Sequence, residues 1–358
     1  MQIENIKKIF PGVMLALVFC LFSQGINNVL AIEIFGTSQS PISTVLIAIL
    51  LGILMGNAFT PRAGMMIGLD FTQQYILKLG IIFLGIRLSF EELIKFGSIA
   101  IPLIICCIIG VLILVKLLIK KVSISSKMSY LIAIGTSVCG ATAIVATAPV
   151  INAKKTEIAY AIANITLFGV IAMIIYPYFA EWYFDDNSLR TGLFLGTSIH
   201  ETSQVAAAGL IYDQQFNNPE TLNVATVTKL IRNTSLVIMI PLFAFLYNRG
   251  EVKEKKYSIF NIFPYFVLGF IGMIMVRNLG DQVFYLESDN YDLWINLIES
   301  IKVLATVFLT MAMAAVGISI NLNELKSMGY KPFVVGFIAA ITVGIISLIY
   351  LETVTIFI

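Results

Sequence analysis

The chain has 358 residues, of which 58% are hydrophobic and only 12% are charged, and its mean hydropathy is +0.92. This composition excludes an ordinary soluble domain and is typical of a protein that crosses a membrane several times. The net charge of +2 gives no reason to expect a nucleic-acid partner. We therefore expect an all-α polytopic membrane protein.

The chain begins with Lys7 and Lys8 before a long apolar run, which we interpret as a retained signal-anchor. A bilayer core needs about 20 apolar residues per helix. By that measure residues 1–358 form a single transmembrane domain with nine full spans. The spans are predicted near residues 9–30, 41–59, 74–90, 99–119, 156–179, 222–247, 262–279, 298–320 and 333–356. Two further apolar segments, near 128–150 and 190–211, remain outside this count.

Motifs for enzymatic or metal chemistry are missing from the sequence. It contains no Walker loop, no GxSxG elbow and no HExxH pair, so we expect no catalytic residues, no metal and no cofactor. The four cysteines lie in apolar runs without metal-ligand spacing, which predicts small core residues.

The two remaining segments carry related hexapeptides, GTSVCG at Gly135–Gly140 and GTSIHE at Gly196–Glu201. A glycine followed by two small hydroxyl residues interrupts a helix readily. Non-helical backbone at membrane depth persists only where protein or water satisfies it, and the N-terminus of the following half-helix attracts anions. The sequence therefore predicts two discontinuous or re-entrant helices that meet near the midplane.

Loop charge favours re-entrant hairpins over full broken crossing helices, although both stay open. Lysines in short loops prefer the cytoplasm. With a cytoplasmic N-terminus and two crossing segments, Lys154 and Lys155 would lie outside. If each segment enters and leaves on one side, a group of six lysines is entirely cytoplasmic: Lys116, Lys120, Lys121, Lys127, Lys154 and Lys155.

A second internal match indicates two halves, about 1–180 and about 190–358, of opposite orientation. Five residues of the first half recur at constant spacing in the second half. Gly85, Ile86, Glu92, Leu93 and Gly97 match Gly317, Ile318, Glu324, Leu325 and Gly329. Inverted halves are typical of secondary transporters, whose substrate site lies at the repeat interface.

Three polar residues follow the second hexapeptide at helical spacing. Lys229, Arg232 and Asn233 stand at i, i+3 and i+4 and therefore share one helical face. At about 1.5 Å per residue, Lys229 lies about 10 Å and Arg232 about 15 Å into the predicted span. Such buried cations predict either an anion site or a structural ion pair with Glu201.

Further polar residues cluster at the two breaks. The candidate substrate-binding residues are Thr136, Ser137, Thr142, Thr197, Ser198, Lys229, Arg232 and Asn233. The candidate ion-coupling residues are Asn164, His200, Glu201 and Gln204, although packing or helix capping explains them equally well. Arg87 and Arg277 lie near span ends, where snorkelling accounts for them.

The segments GTSVCGATAIVATAPVI, GTSIHETSQVAAAG and VTKLIRN resemble the YeiH-type bacterial membrane proteins, a family labelled as sulfate exporters. The resemblance covers almost the whole chain. It implies membership of the cation:proton antiporter and anion transporter superfamily, with an inverted-repeat fold built on crossed discontinuous helices. It also implies a bacterial inner-membrane location.

The hypothesis that unites these features is a secondary transporter of a small anion, such as sulfate or a related sulfonate or carboxylate. It is coupled to H⁺ or Na⁺ or runs as a uniporter. The alternatives are a cation:proton antiporter-like activity, a sensor or assembly subunit without transport, and an intramembrane serine hydrolase using Ser198 with His200. The expected partners are the anion, the coupling ion and the lipid bilayer, and a homodimer is left open.

Overall fold

A computed structural model describes residues 2–34, 40, 42–59, 63–119, 125–247, 265–284, 290–321 and 330–354. These residues form helices and short connections, and no strand occurs in these ranges. Seven of their helices are long and apolar enough to cross a membrane, and Thr44–Ala58 is a shorter apolar helix. The all-α polytopic membrane fold is thereby confirmed.

The described helices are numbered here in chain order. They are α1 (Gln2–Val29), α2 (Thr44–Ala58), α3 (Ala63–Phe71), α4 (Leu77–Leu84), α5 (Phe90–Ile119), α6 (Ser126–Ser137), α7 (Ala141–Thr147), α8 (Lys155–Phe184), α9 (Ser188–Ser198), α10 (Thr202–Phe216), α11 (Pro219–Thr234), α12 (Leu236–Tyr247), α13 (Phe266–Val283), α14 (Tyr291–Ser319) and α15 (Tyr330–Val354). A π-helical turn follows α1 and another joins α3 to α4, and a 3₁₀ turn follows α4.

The chain divides into two compact units. Unit 1 comprises Met1–Ile94, Gly209–Asn223 and Tyr265–Leu322. Unit 2 comprises Lys95–Ala208, Val224–Pro264 and Asn323–Ile358. Both hexapeptides, together with Lys229 and Arg232, therefore belong to unit 2.

Unit 1 is built around the packing of α2 on α14. Gly52 and Gly56 of α2 form a GxxxG pattern, which lets two helix backbones approach closely. A Cβ atom added to Gly52 would lie 2.6 Å from the carbonyl oxygen of Ala314, and one added to Gly56 would lie 2.9 Å from the Cα of Ile318. A larger side chain at either glycine would separate the two helices.

Both matched pentads begin in unit 1. Gly85 begins the turn after α4, and Gly317 lies in the last turn of α14. Glu324, Leu325 and Gly329 of the second pentad lie outside the described residues, as do Lys120 and Lys121 of the lysine group. The inverted repeat therefore stays a prediction.

Unit 2 places the interrupted helices against long continuous ones. α6 packs on α7, α8 and α15, and α9 packs on α8 and α15. Phe194 of α9 contacts the aromatic rings of Tyr176, Phe179 and Phe184 on α8, with centroids 5.0 to 5.9 Å apart. These ring contacts hold α9 in position against α8. The C-terminal end of α9 lies among polar groups.

Candidate functional site

Both helix interruptions follow the GTS tripeptides directly. α6 ends at Ser137 and α7 begins at Ala141, and α9 ends at Ser198 and α10 begins at Thr202. In the first linker Gly140 has φ 69° and ψ −130°, a conformation that residues with a Cβ atom rarely adopt. The glycine therefore permits the sharp change of direction at this break.

The first interrupted segment folds back on itself. Lys127, at the start of α6, donates from Nζ to the carbonyl oxygen of Asn152, beyond the end of α7, over 2.8 Å. At the other end, a Cβ atom added to Gly135 would lie 2.9 Å from Cδ1 of Ile144 on α7. Because α6 alone is about 18 Å long, contacts at both ends place α6 and α7 side by side. The segment thus has the geometry of a hairpin.

This hairpin predicts that Lys127 and Lys154 face the same side of the membrane. We expect Lys127→Cys and Lys154→Cys, each in a chain without its four native cysteines, to be shielded from an impermeant thiol reagent outside the cell. Asp186→Cys, beyond the far end of the 30-residue helix α8, is the control and should react. Opposite reactivity at Lys127 and Lys154 would contradict the hairpin topology.

Two cations from α11 bind the broken ends of both interrupted helices. Lys229 and Arg232 are 0% exposed. Arg232 Nε donates to the carbonyl oxygen of Ser137 over 2.8 Å, and its Nη1 donates to that of Ile199 over 3.3 Å. Nη1 also donates to the carbonyl oxygen of Thr197, and Nη2 donates to that of Thr136. One guanidinium therefore reaches both breaks, which places the two hexapeptides next to each other.

Lys229 completes the same arrangement. Its Nζ donates to the carbonyl oxygens of Val138 over 3.1 Å and Ile199 over 2.9 Å, and also to that of His200. An ammonium group has three hydrogens, so these bonds use all of its donors. The last carbonyls of a helix have no partner within it and carry a partial negative charge. The two cations donate hydrogen bonds to these carbonyls and offset the partial negative charge at the C-terminal ends of α6 and α9.

Glu201 contacts backbone instead of either cation. Its Oε1 accepts a hydrogen bond from the backbone N–H of Ala141, the first residue of α7, over 3.2 Å. Its own N–H donates to Gln204 Oε1 over 3.1 Å, and Gln204 Nε2 donates to the carbonyl oxygen of Thr166 on α8 over 3.3 Å. No ion pair within 4.0 Å joins Glu201 to Lys229 or Arg232, all three of which are described. The carboxylate caps the positive N-terminal end of the opposite hairpin's second half.

The predicted hydroxyl groups differ in how they are used. Thr197 Oγ1 donates to Leu193 O over 2.7 Å and also lies 2.8 Å from Ser347 Oγ of α15. Ser198 Oγ donates to the carbonyl oxygen of Phe194. The buried hydroxyls of Thr136 and Ser137 have no hydrogen-bond partner. Those two hydroxyls therefore have unused hydrogen-bonding capacity.

The other predicted site residues surround this centre unevenly. Both ring nitrogens of buried His200 are without a hydrogen-bond partner. Asn233 Nδ2 donates to Thr202 Oγ1 over 2.8 Å, whereas its Oδ1 is buried without a partner. Thr142 is exposed in the first turn of α7. Asn164 packs against Gly336 of α15.

Sequence reasoning missed two residues that hold the second hexapeptide in place. Ser347 contacts Thr197, and Thr228 lies so close to Gly196 that an added Cβ would be 2.6 Å from its Cβ. A serine within a long apolar helix is a signal that would have found Ser347. Among the described residues, no group of three or more His, Cys, Asp or Glu is placed to hold a metal ion.

Comparisons with known proteins connect the chain to bacterial membrane proteins. The family described as Conserved hypothetical protein 698 matches residues 11–336. A UPF0324 membrane protein of Streptococcus agalactiae serotype V is 33% identical over 341 residues, which cover 95% of this chain and 95% of the relative. One of Fusobacterium nucleatum is 34% identical over 323 residues, covering 88% of this chain and 91% of the relative. No solved structure matches.

A third relative, the UPF0324 membrane protein of Clostridium tetani, is 30% identical over 357 residues and covers 96% of both chains. The similarity therefore extends over nearly the full length of this chain and of each of these two relatives. The resemblance to YeiH-type proteins is confirmed. The chain belongs to the UPF0324 family of membrane proteins, the family described as Conserved hypothetical protein 698.

Proposed function

We propose that this protein is a secondary transporter of a small anion in the bacterial cytoplasmic membrane, with its N-terminus in the cytoplasm. The observation that carries the proposal is the excess of positive charge where the two interrupted helices meet. Lys229 and Arg232 supply two formal positive charges, and Glu201 is the one carboxylate bound at this centre among the described residues.

Helix dipoles leave this excess unchanged. The C-terminal ends of α6 and α9 together contribute about one negative charge, and the N-terminal ends of α7 and α10 contribute about one positive charge. These contributions cancel, so the centre keeps about one positive charge while Glu201 is ionised. Burying an uncompensated charge in a membrane protein is costly. A bound anion removes that cost, and a mobile anion makes the centre a transport site.

The ligand groups nearest the breaks fit an oxyanion. The hydroxyls of Thr136 and Ser137 are buried donors without partners, and Arg232 uses four of its five N–H groups on carbonyls. Lys229 has no donor left, so its contribution to anion binding is its charge alone. We therefore propose sulfate, or a sulfonate or carboxylate of similar size, as the substrate class.

The same geometry favours H⁺ over Na⁺ as the coupling ion. In transporters with discontinuous helices, carbonyls at half-helix C-termini coordinate Na⁺. Here Lys229 and Arg232 already bind the carbonyls at both breaks, including those of Val138 and Ile199. A built-in cation thus occupies the place of Na⁺. Glu201 is the carboxylate that would carry the coupling proton.

The other functions receive less support from this site. A cation:proton antiporter requires an anionic centre, whereas this one is cationic. A Ser198 and His200 nucleophile pair is not formed, because Ser198 donates to Phe194 O and the ring nitrogens of His200 have no partner. A sensor or assembly role would leave the buried positive charge without a use.

Purified protein in sealed liposomes tests the proposal directly. We expect uptake of radiolabelled sulfate above that of protein-free liposomes, accelerated by an imposed pH gradient and unchanged when Na⁺ is replaced by K⁺. Glu201→Gln should abolish the effect of the pH gradient. Glu352→Gln, the same substitution at an exposed position in unit 2, should keep it.

Competition by unlabelled anions then defines the substrate class. A small sulfonate or carboxylate that suppresses sulfate uptake shares its site. The uptake of each anion of the panel is also measured directly, with the anion in labelled form. If neither sulfate nor any of these anions enters the protein-containing liposomes faster than it enters protein-free liposomes, the transporter proposal is wrong.

A further inference from the structure

A second polar site lies within unit 1, separate in its residues from the centre described above. A cavity of about 420 Å³ is lined by α1, α2, α14 and the segment Gly209–Asn223. This volume lies within the range of about 300–1,000 Å³ that is usual for small-molecule sites. At about 30 Å³ per water molecule, it would hold roughly 14 waters or one small solute with fewer waters.

The cavity wall carries two ion pairs of balanced charge. Arg87 Nη1 lies 3.0 Å from Asp213 Oδ2, and their side chains are only 12% and 16% exposed. Lys302 Nζ lies 2.7 Å from Glu299 Oε1. Arg87 ends a candidate span, as the sequence suggested, and it is also paired with Asp213. With two cations and two carboxylates, the lining has no net charge.

Two further polar atoms of the same wall are without partners. Arg87 Nε is a buried donor and Gln214 Oε1 is a buried acceptor, and neither has a hydrogen-bond partner in the structure. An unsatisfied buried donor or acceptor costs about 1–3 kcal/mol. A ligand that both accepts and donates hydrogen bonds would satisfy both atoms.

The polar wall extends well into the unit. Along α14 it runs from Glu299 to Thr310, which is about 16 Å at 1.5 Å per residue. The charged residues Glu299 and Lys302 stand at the start of this wall, and the hydroxyl residues Thr306 and Thr310 continue it. The wall also includes apolar side chains such as Val303 and Val307, so the cavity is not lined by polar groups alone.

We propose that this cavity binds a small zwitterion, an amino-acid-sized solute with one anionic and one ammonium group. The anionic group pairs with Arg87, and the ammonium group pairs with Asp213 and donates to Gln214 Oε1. A zwitterion keeps the charge balance of the lining, whereas a simple anion or a simple amine would disturb it. The proposal does not depend on the anion centre of unit 2.

Calorimetric titration of the purified full chain tests this with matched probes. The zwitterions are glycine, β-alanine and γ-aminobutyrate, which differ in the separation of their charges. The controls are acetate, propionate and butyrate, which lack the ammonium group, and methylamine, ethylamine and propylamine, which lack the carboxylate. At least one zwitterion should bind saturably and about tenfold or more tighter than its matched acid and amine.

Variants locate the binding to the cavity. Asp213→Asn should weaken binding of the best zwitterion by about tenfold or more. Arg277→Gln removes one member of another ion pair of unit 1, at 2.6 Å from Asp281 and outside the cavity, and should leave affinity unchanged. If Asp213→Asn does not yield folded protein, Gln214→Met serves instead, because Gln214 Oε1 is the acceptor offered to the ammonium group.

Three results would overturn the proposal. One is the absence of saturable binding by all three zwitterions, which would make the cavity a water-filled vestibule only. Another is an acid or amine that binds as tightly as its matched zwitterion. The third is unchanged zwitterion affinity in folded Asp213→Asn or Gln214→Met protein.

Discussion

Arg232→Ala is expected to lower the free energy of unfolding by about 3–5 kcal/mol, the usual cost of removing one member of a buried charged network. The substitution leaves the carbonyls of Thr136, Ser137 and Thr197 without their donor at the junction of two interrupted helices. Those carbonyls are buried, so water cannot easily replace the guanidinium. Thermal unfolding in detergent, followed by tryptophan fluorescence, measures the change.

Two companion variants make this result specific. Arg190→Ala removes an arginine of the same unit whose nitrogen lies 3.9 Å from a carboxylate oxygen of Glu352 and whose side chain is partly exposed, so its loss should cost less than about 1 kcal/mol. Arg232→Lys keeps the charge but loses the planar fork of donors, and its stability should fall between those of the wild type and Arg232→Ala. An Arg232→Ala protein as stable as Arg190→Ala would show that the guanidinium does not hold the breaks.

This expectation differs from both roles that the sequence offered for Arg232. If Arg232 only bound a substrate anion, Arg232→Ala would leave the stability of the protein largely intact. If Arg232 were the ion-pair partner of Glu201, the same substitution would lower stability by leaving a buried carboxylate unpaired. The structure provides a third role, because the partners are backbone carbonyls. All residue types present the same backbone carbonyl group. No pattern of residue types can therefore reveal which carbonyls an arginine will bind.

Local chemistry made the breaks themselves predictable. Gly135 and Gly196, each followed by Thr and Ser, stand in the last turn before each interruption, as the helix-breaking tendency of these residues suggested. The spacing of Lys229 and Arg232 placed them on one face and at depth, and both are fully buried. These features depend on a few neighbouring residues, and that is why sequence reasoning could reach them.

Long-range pairing was beyond the sequence. Arg87 and Asp213 are 126 positions apart, and nothing in either local sequence indicates the other. The division into two units depends on how distant helices pack, and the segment Gly209–Asn223 joins unit 1 although both flanking stretches belong to unit 2. The span predicted near residues 41–59 contains a helix of only 15 residues, Thr44–Ala58, because the chain becomes helical only after the N-cap Ser43, whose side chain accepts a hydrogen bond from the backbone N–H of Leu46.

Gly140→Ala is expected to abolish pH-driven transport. Gly140 has φ 69° and ψ −130°, which costs a residue with a Cβ about 1–3 kcal/mol. The added methyl would also overlap Cγ of Glu201 and displace the carboxylate from the N–H of Ala141. Stability should therefore fall by at least that strain, and pH-driven uptake should fall to the level of protein-free liposomes.

A glycine without such constraints provides the control. Gly272 lies inside helix α13 with nothing within 4 Å of an added Cβ, so Gly272→Ala should be neutral or stabilise by up to about 1 kcal/mol. The double variant Gly140→Ala with Glu201→Ala removes the overlap but not the backbone strain. It should regain part of the lost melting temperature and none of the pH-driven uptake, because the carboxylate is gone. Uptake at the wild-type rate in Gly140→Ala would show that the contact between Glu201 and the first break has no part in transport.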